Sequence, residues 1–117
     1  MLHHMKLHPD PFSKICKGHK TIELRLYDQK RQQIRIGDQI EFKNTENSSE
    51  TIAVIVTNLH RFNSFETMYN SLSPTLFGYE DPSVADPKDM ERYYSKEEEN
   101  LYGVLGIEFV LVALANT

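Results

Sequence analysis

Lys20, Glu23 and Arg25 are the residues whose types and spacing best support chemistry. From Lys20 to Tyr27 the chain alternates: Ile22, Leu24 and Leu26 point one way, and Thr21, Glu23, Arg25 and Tyr27 the other. That two-residue period is the signature of a half-buried strand. Glu23 and Arg25 therefore share a face, where a carboxylate and a guanidinium can meet or converge on one ligand. Lys20 stands at the turn into the strand, so the alternation does not bind its side chain. Lysine offers a phosphate a point charge, or supplies a nucleophile or base where desolvation lowers its pKa. Arginine offers a planar fork matched to phosphate or to a base edge. Glutamate accepts from exocyclic amines or shuttles protons. The bland reading is an exposed Glu–Arg pair on a solvated strand, worth little to stability.

Other residues are weaker candidates. Lys30, Arg31 and Arg35 read as surface charges that could hold a backbone phosphate if a cleft lies beside them. Tyr27 and Tyr94 could stack on a base, although Tyr93 and Tyr94 fit helix packing as well. Cys16 falls on the expected buried face of the first helix and reads as an inert thiol. His3, His4 and His8 match no common zinc spacing, so neither a metal nor a cofactor is expected. Glu97, Glu98 and Glu99 read as a solvated helix start.

The elements that must position these residues follow from local signals. Met5 to Leu7 is a short strand. His8-Pro9-Asp10-Pro11 opens a helix with Asp10 as N-cap and with Phe12, Ile15 and Cys16 on one face. Lys17-Gly18 ends it, glycine being able to take a positive φ. Further strands are expected over Gln39–Lys43, with Ile40 and Phe42 inward, over Thr51–Phe62, and over Val104–Val112. The run from Ile52 to Val56 is apolar enough to be covered on both faces. Ser64 is expected to cap a helix carrying Phe65, Met68, Tyr69 and Leu72 on one face. A helix is expected from Pro87 to Tyr94, and Ser95-Lys96-Glu97-Glu98 matches a capping box opening another. Ser73 to Pro87, with Pro74, Pro82 and Pro87, has little periodicity and reads as a long irregular segment.

These elements are too few and too widely separated for a doubly wound sheet. They predict an α+β fold, a small mixed β-barrel flanked by short helices. The 117 residues (1–117) are expected to form one domain, and a chain of this length buries roughly two-thirds of its unfolded surface. One cysteine permits no internal disulfide. Met1 to Lys6 has no apolar stretch of a secretory leader. The longest apolar run, Val104 to Ala115, is interrupted by Glu108 and is too short to span a membrane, which predicts a cytoplasmic protein with no membrane partner. The net charge of −4 argues against a generic polyanion binder, but it is unevenly placed. Residues 1–40 carry eight Lys and Arg against four acids, a net of +4; the remainder carries five against thirteen, a net of −8. A basic first third on an acidic body can make a local anion site while the rest repels non-specific nucleic acid.

The run Gly18-His19-Lys20-Thr21-Ile22-Glu23-Leu24-Arg25, of the form G-x-K-T-x-E-x-R, follows a short helix and precedes Gly37-Asp38 and a further strand. With Lys6-Leu7-His8-Pro9, Pro11-Phe12 and the closing Tyr102-Gly103-Val104-x-Gly106-Ile107-Glu108, it resembles the ASCH domain family over nearly the whole chain. The resemblance implies a PUA-like barrel with a cleft beside the first helix, lined by Lys20, Glu23 and Arg25. It also implies a partner: RNA, or a nucleotide or nucleoside. The expected ligand contacts are Lys20, Thr21, Glu23, Arg25, Tyr27, Lys30 and Arg31. One branch of the family hydrolyses N4-acetylcytidine with the motif lysine, a threonine three residues on and a more distant glutamate, and ribonuclease activity is associated with some members. Here Glu23 stands at the threonine position, and Glu80 is the best guess for the distant acid. Binding is therefore expected first, and a hydrolase with Lys20 and Glu23 catalytic is the alternative. A protein-interaction surface over Ser73–Pro87 is a third reading; protein partners are otherwise open.

Overall fold

The computed structural model describes residues 1–112. Its strands are β1 (Leu2–Leu7), β2 (Ile22–Leu26), β3 (Gln39–Asn44), β4 (Thr51–Phe62) and β5 (Val104–Leu111). The helices are α1 (Pro9–Cys16), α2 (Phe65–Ser71) and α3 (Lys96–Tyr102). The five strands form one sheet in the order β1-β3-β4-β5-β2, with β1 parallel to β3 and the other pairs antiparallel. The sheet curls into a half-barrel surrounded by short helices, the α+β architecture expected of the sequence. A bulge between Val56 and Asn58 interrupts the long β4 where it crosses from β3 to β5, and bulges of this kind sharpen local bend and twist. Residues 113–115 of the apolar run noted above lie outside the described residues. Among the described residues, no helix is long and apolar enough to cross a membrane.

Both faces of the sheet are covered. The inner face packs Met5, Leu7, Ile40, Phe42, Val54, Val56, Leu105, Ile107 and Phe109 with Phe12 and Ile15 of α1. The outer face packs Ile22, Leu24, Leu26 and Val104 against Phe65, Met68 and Tyr69 of α2 and against Phe77. Burial of these side chains is the main favourable term in holding the layers together.

Local signals account for most of the elements. Ser64 accepts from the Thr67 amide, and Ser95 with Glu98 completes the expected capping box. Five readings change. His8 rather than Asp10 occupies the N-cap of α1, because Pro9 takes the first helical position and leaves Asp10 in the first turn. Cys16 is exposed: Phe12 and Ile15 define the buried stripe, and the next residue turns past its edge. Ala53 and Ile55 are only half covered, so β4 alternates there instead of being enclosed. The segment from Pro74 to Arg92 is not featureless; it makes three short 3-10 turns, Pro74–Phe77, Pro82–Val84 and Pro87–Arg92, the last in place of the expected helix. Such turns have no 3.6-residue pattern to betray them. Glu99 also departs from expectation, because it is buried and accepts the Phe65 amide at the start of α2 (3.1 Å).

Candidate functional site

The two edge strands of the sheet are β1 and β2, and the curl brings them toward each other with α1 between them in sequence. Glu23 pairs in register with Ile107, and Arg25 with Leu105, so both face the inner side of the half-barrel. The side of β2 opposite Ile22, Leu24 and Leu26 is thus enclosed rather than solvated. Gly18 takes φ +77, which turns the chain out of α1, and the His19 and Lys20 amides both donate to the Lys14 carbonyl. This turn lays Lys20 back along the cleft floor.

Three charged groups meet there. The Lys20 ammonium lies 3.0 Å from Glu23 Oε1 and donates to the Phe77 carbonyl at 3.2 Å. Arg25 Nε donates to Glu23 Oε2 at 2.8 Å, and its Nη2 donates to the Lys6 carbonyl at 2.8 Å, tying β2 to β1 across the gap. Glu23 Oε1 also accepts the Leu24 amide at 3.2 Å. Lys20 is 8% exposed and Glu23 5%, so this is a buried triad and not a surface pair. Burial alone would raise the Glu23 carboxyl, but the charges and hydrogen bonds of Lys20 and Arg25 outweigh it and hold its pKa below the ordinary value. Burial likewise opposes the charged form of Arg25, and the attraction of Glu23 reverses the effect and raises it. The two cations and one carboxylate carry a formal charge of +1.

Above this floor opens a cleft of about 340 Å³. Lys6, Lys14 and Arg92 add positive charge to its lining; Tyr69, Tyr79, Tyr93 and Tyr94 make its aromatic surfaces. At the rim Lys14 pairs with Asp10 at 3.3 Å. Tyr79 donates to Asp89 Oδ2 at 2.7 Å, and its hydroxyl meets that of Tyr69 at 2.9 Å. Burial, then these partners, raise the Tyr79 pKa, so the phenol is a neutral donor. Gly78, at φ +102, lies against the floor: a Cβ there would stand 3.2 Å from Lys14 Cδ and 3.5 Å from Lys20 Cβ.

Of the residues expected to make the site, Lys20, Glu23 and Arg25 come together in this cleft and Tyr94, a candidate for stacking, lines it, whereas Thr21, Tyr27, Lys30, Arg31 and Arg35 stand apart from it. Thr21 contributes through its backbone, donating to the Leu76 carbonyl and accepting the Phe109 amide. Tyr27 lies farther along the strand beneath Arg61. Lys30 donates to the His4 carbonyl at 3.1 Å, and Arg31 pairs with Asp28 at 3.0 Å. Glu80 is exposed and does not line the cleft; Asp89 is the acid beside Tyr79. Sequence reasoning passed over Tyr69 as a cleft residue, and missed Tyr79, Asp89 and Gly78. The available signal was compositional: four of the six tyrosines fall between residues 69 and 94, and all four line the cleft.

The curled mixed sheet with a cationic cleft at its open edge defines a PUA-like α+β domain. The ASCH domain family model matches residues 5–113, and the chain belongs to that family. The chain is 30% identical to the hypothetical protein PH0355, covering 96% of this chain and 100% of that one with a TM-score of 0.80. It is also 30% identical to protein PF0455 from Pyrococcus furiosus, covering 97% and 100%, with a TM-score of 0.73. An ASCH domain from Lactobacillus crispatus shares the fold at 18% identity, with 94% of this chain and 79% of that one covered and a TM-score of 0.63. No curated protein matches.

Proposed function

We propose that the protein is an RNA- or nucleotide-binding module whose ligand enters the cleft over Lys20, Glu23 and Arg25. The observation that carries this reading is the set of hydrogen-bond donors left over in the triad. An ammonium has three N–H groups, and Lys20 spends two, on Glu23 and on the Phe77 carbonyl. A guanidinium has five, and Arg25 spends two, on Glu23 and on the Lys6 carbonyl. One N–H of Lys20 and three of Arg25 remain, in a half-enclosed place with a net positive charge. A phosphate or a base carbonyl satisfies them, and the tyrosines offer faces for the ring. RNA binding is associated with the family at large, which supports the reading.

The test is fluorescence anisotropy or calorimetry with nucleotides and short RNAs against the wild type, Lys20→Ala and Arg25→Ala. Saturable binding that weakens strongly in Lys20→Ala is expected; absence of any saturable, Lys20-dependent signal overturns the proposal.

The alternative is a small hydrolase of a modified nucleoside or of RNA, with Lys20 and Glu23 catalytic; their 3.0 Å contact inside a cleft favours it. Against it, a glutamate held ionised by two cations is a weak proton acceptor. Product formed from N4-acetylcytidine or a short RNA, and lost in Lys20→Ala, would establish the hydrolase; binding without product rules it out for those substrates.

A further inference from the structure

A second groove, of about 510 Å³, lies at the far end of β2 from the triad, lined by Tyr27, Arg61, Phe62, Asn63, Asn100 and Tyr102 among others. Arg25 and Arg61 both pair in register with Leu105, from opposite sides of β5. Residues that pair directly across a sheet share a face, so the two arginines stand in one row on the inner side of the half-barrel. The Tyr27 amide donates to the Gly103 carbonyl at 3.0 Å, extending the β2–β5 ladder by one residue. Tyr27 therefore keeps the alternation and lies on the same face as Arg25, two residues farther on. The guanidinium of Arg61 reaches over to it, with its central carbon 4.0 Å from the ring centroid.

Arg61 differs from Lys20 and Arg25 in one respect. Among the described residues it makes no ion pair and no side-chain hydrogen bond, and it is exposed. The tyrosine ring lies beneath its central carbon, while its donors are unspent. That arrangement suits a base stacked on the guanidinium or a phosphate held by the fork. The amides of Asn63 and Asn100 and the 41%-exposed Tyr102 supply hydrogen-bonding and stacking groups around it.

We propose that this Tyr27–Arg61 shelf is a second nucleotide subsite, which makes the ligand class a single-stranded oligonucleotide rather than a free nucleoside. One nucleotide occupies the Lys20–Arg25 cleft and its neighbour lies on the shelf. The inference rests on the nucleotide-binding reading of the cleft. An acidic or phosphorylated peptide would use the arginine but would leave the aromatic and amide groups unspent, so the oligonucleotide is favoured.

The test compares uridine monophosphate, the dinucleotide pUpU and a short oligouridylate by calorimetry. From the stacking of one further base, pUpU should bind roughly tenfold more tightly than the mononucleotide. Arg61→Ala should bring the ratio of the two affinities close to one, and Arg61→Lys should restore only part of it. The Arg61→Ala change should also flatten the salt dependence of oligouridylate binding by about 0.7 in the log–log slope, the value of one single-strand phosphate contact. Mononucleotide binding with no gain in the dinucleotide, or a gain that survives Arg61→Ala, overturns the shelf and leaves the cleft reading standing. If the wild type binds none of the three probes, both readings fall. An Arg61-dependent affinity for a phosphopeptide, without the length-dependent gain, overturns the shelf as a nucleotide site.

Discussion

Glu23 lies between two cations on a strand face that the curl of the sheet has turned inward, and its chemistry follows from that position. As the only anion of the triad it lets Lys20 and Arg25 be buried side by side. Its replacement by Gln would leave two enclosed cations without their counter-charge, and breaking a buried pair in this way costs about 3 kcal/mol or more. Urea denaturation at neutral pH should show that loss. The pH dependence has a definite sign. Because folding lowers the Glu23 pKa, its stabilisation is fully present above the unfolded carboxylate pKa, about 4.3, and disappears as pH falls through the still lower folded value. The wild type should therefore lose stability on acidification below about pH 4, and Glu23→Gln, less stable from the start, should lose less over the same range. Equal acid sensitivity in the two proteins would remove Glu23 from this role.

The turn Pro74–Phe77 and the glycine after it show how an element without regular periodicity can shape a site. The Phe77 carbonyl accepts a hydrogen bond from Lys20, and Gly78 lets the backbone pass close to the lysine stem. Gly78→Ala would force a side chain into a left-handed conformation, costing about 1–2 kcal/mol, and press on Lys14 and Lys20. Both the thermal midpoint and nucleotide affinity should fall; a normal affinity in a destabilised variant would mean that Lys20 is not held by this contact. A contrasting change is Ser95→Ala, which removes the capping box of α3 and should cost about 1 kcal/mol in urea denaturation without altering affinity. The same contrast marks what could be read from sequence. The caps at Ser64 and Ser95, the Gly18 turn and the alternation of β2 are local, and local chemistry announces them. That the Glu23 face is the enclosed one depends on β2 pairing with β5 from the other end of the chain. Tyr79 and Asp89 reach the cleft from 3-10 turns and loops whose residues carry no repeating pattern. Tyr27 was legible as a strand-face aromatic; only the β4–β5 register places Arg61 over it.

At the scale of the molecule, charge is divided between the two regions that meet at the cleft. Lys6, Lys14, Lys20 and Arg25 of the basic first third line it, together with Arg92, while the remainder of the chain carries the acidic excess that brings the total to −4. A surface of this kind attracts an anionic group at one place and repels a long polyanion elsewhere. The number of phosphates neutralised should then be small. Each single-strand contact contributes about −0.7 to the slope of log affinity against log salt, so one phosphate in the cleft and one on the shelf give about −1.4. Titrations of a short oligouridylate from low to moderate salt should return a slope near that value, and Lys20→Ala should reduce it. A slope steeper than about −3 would require more than four contacts and hence a broad basic face, for which the acidic part of the chain leaves no room. The experiment thus separates a protein that grips one or two nucleotides at a defined place from one that coats a strand.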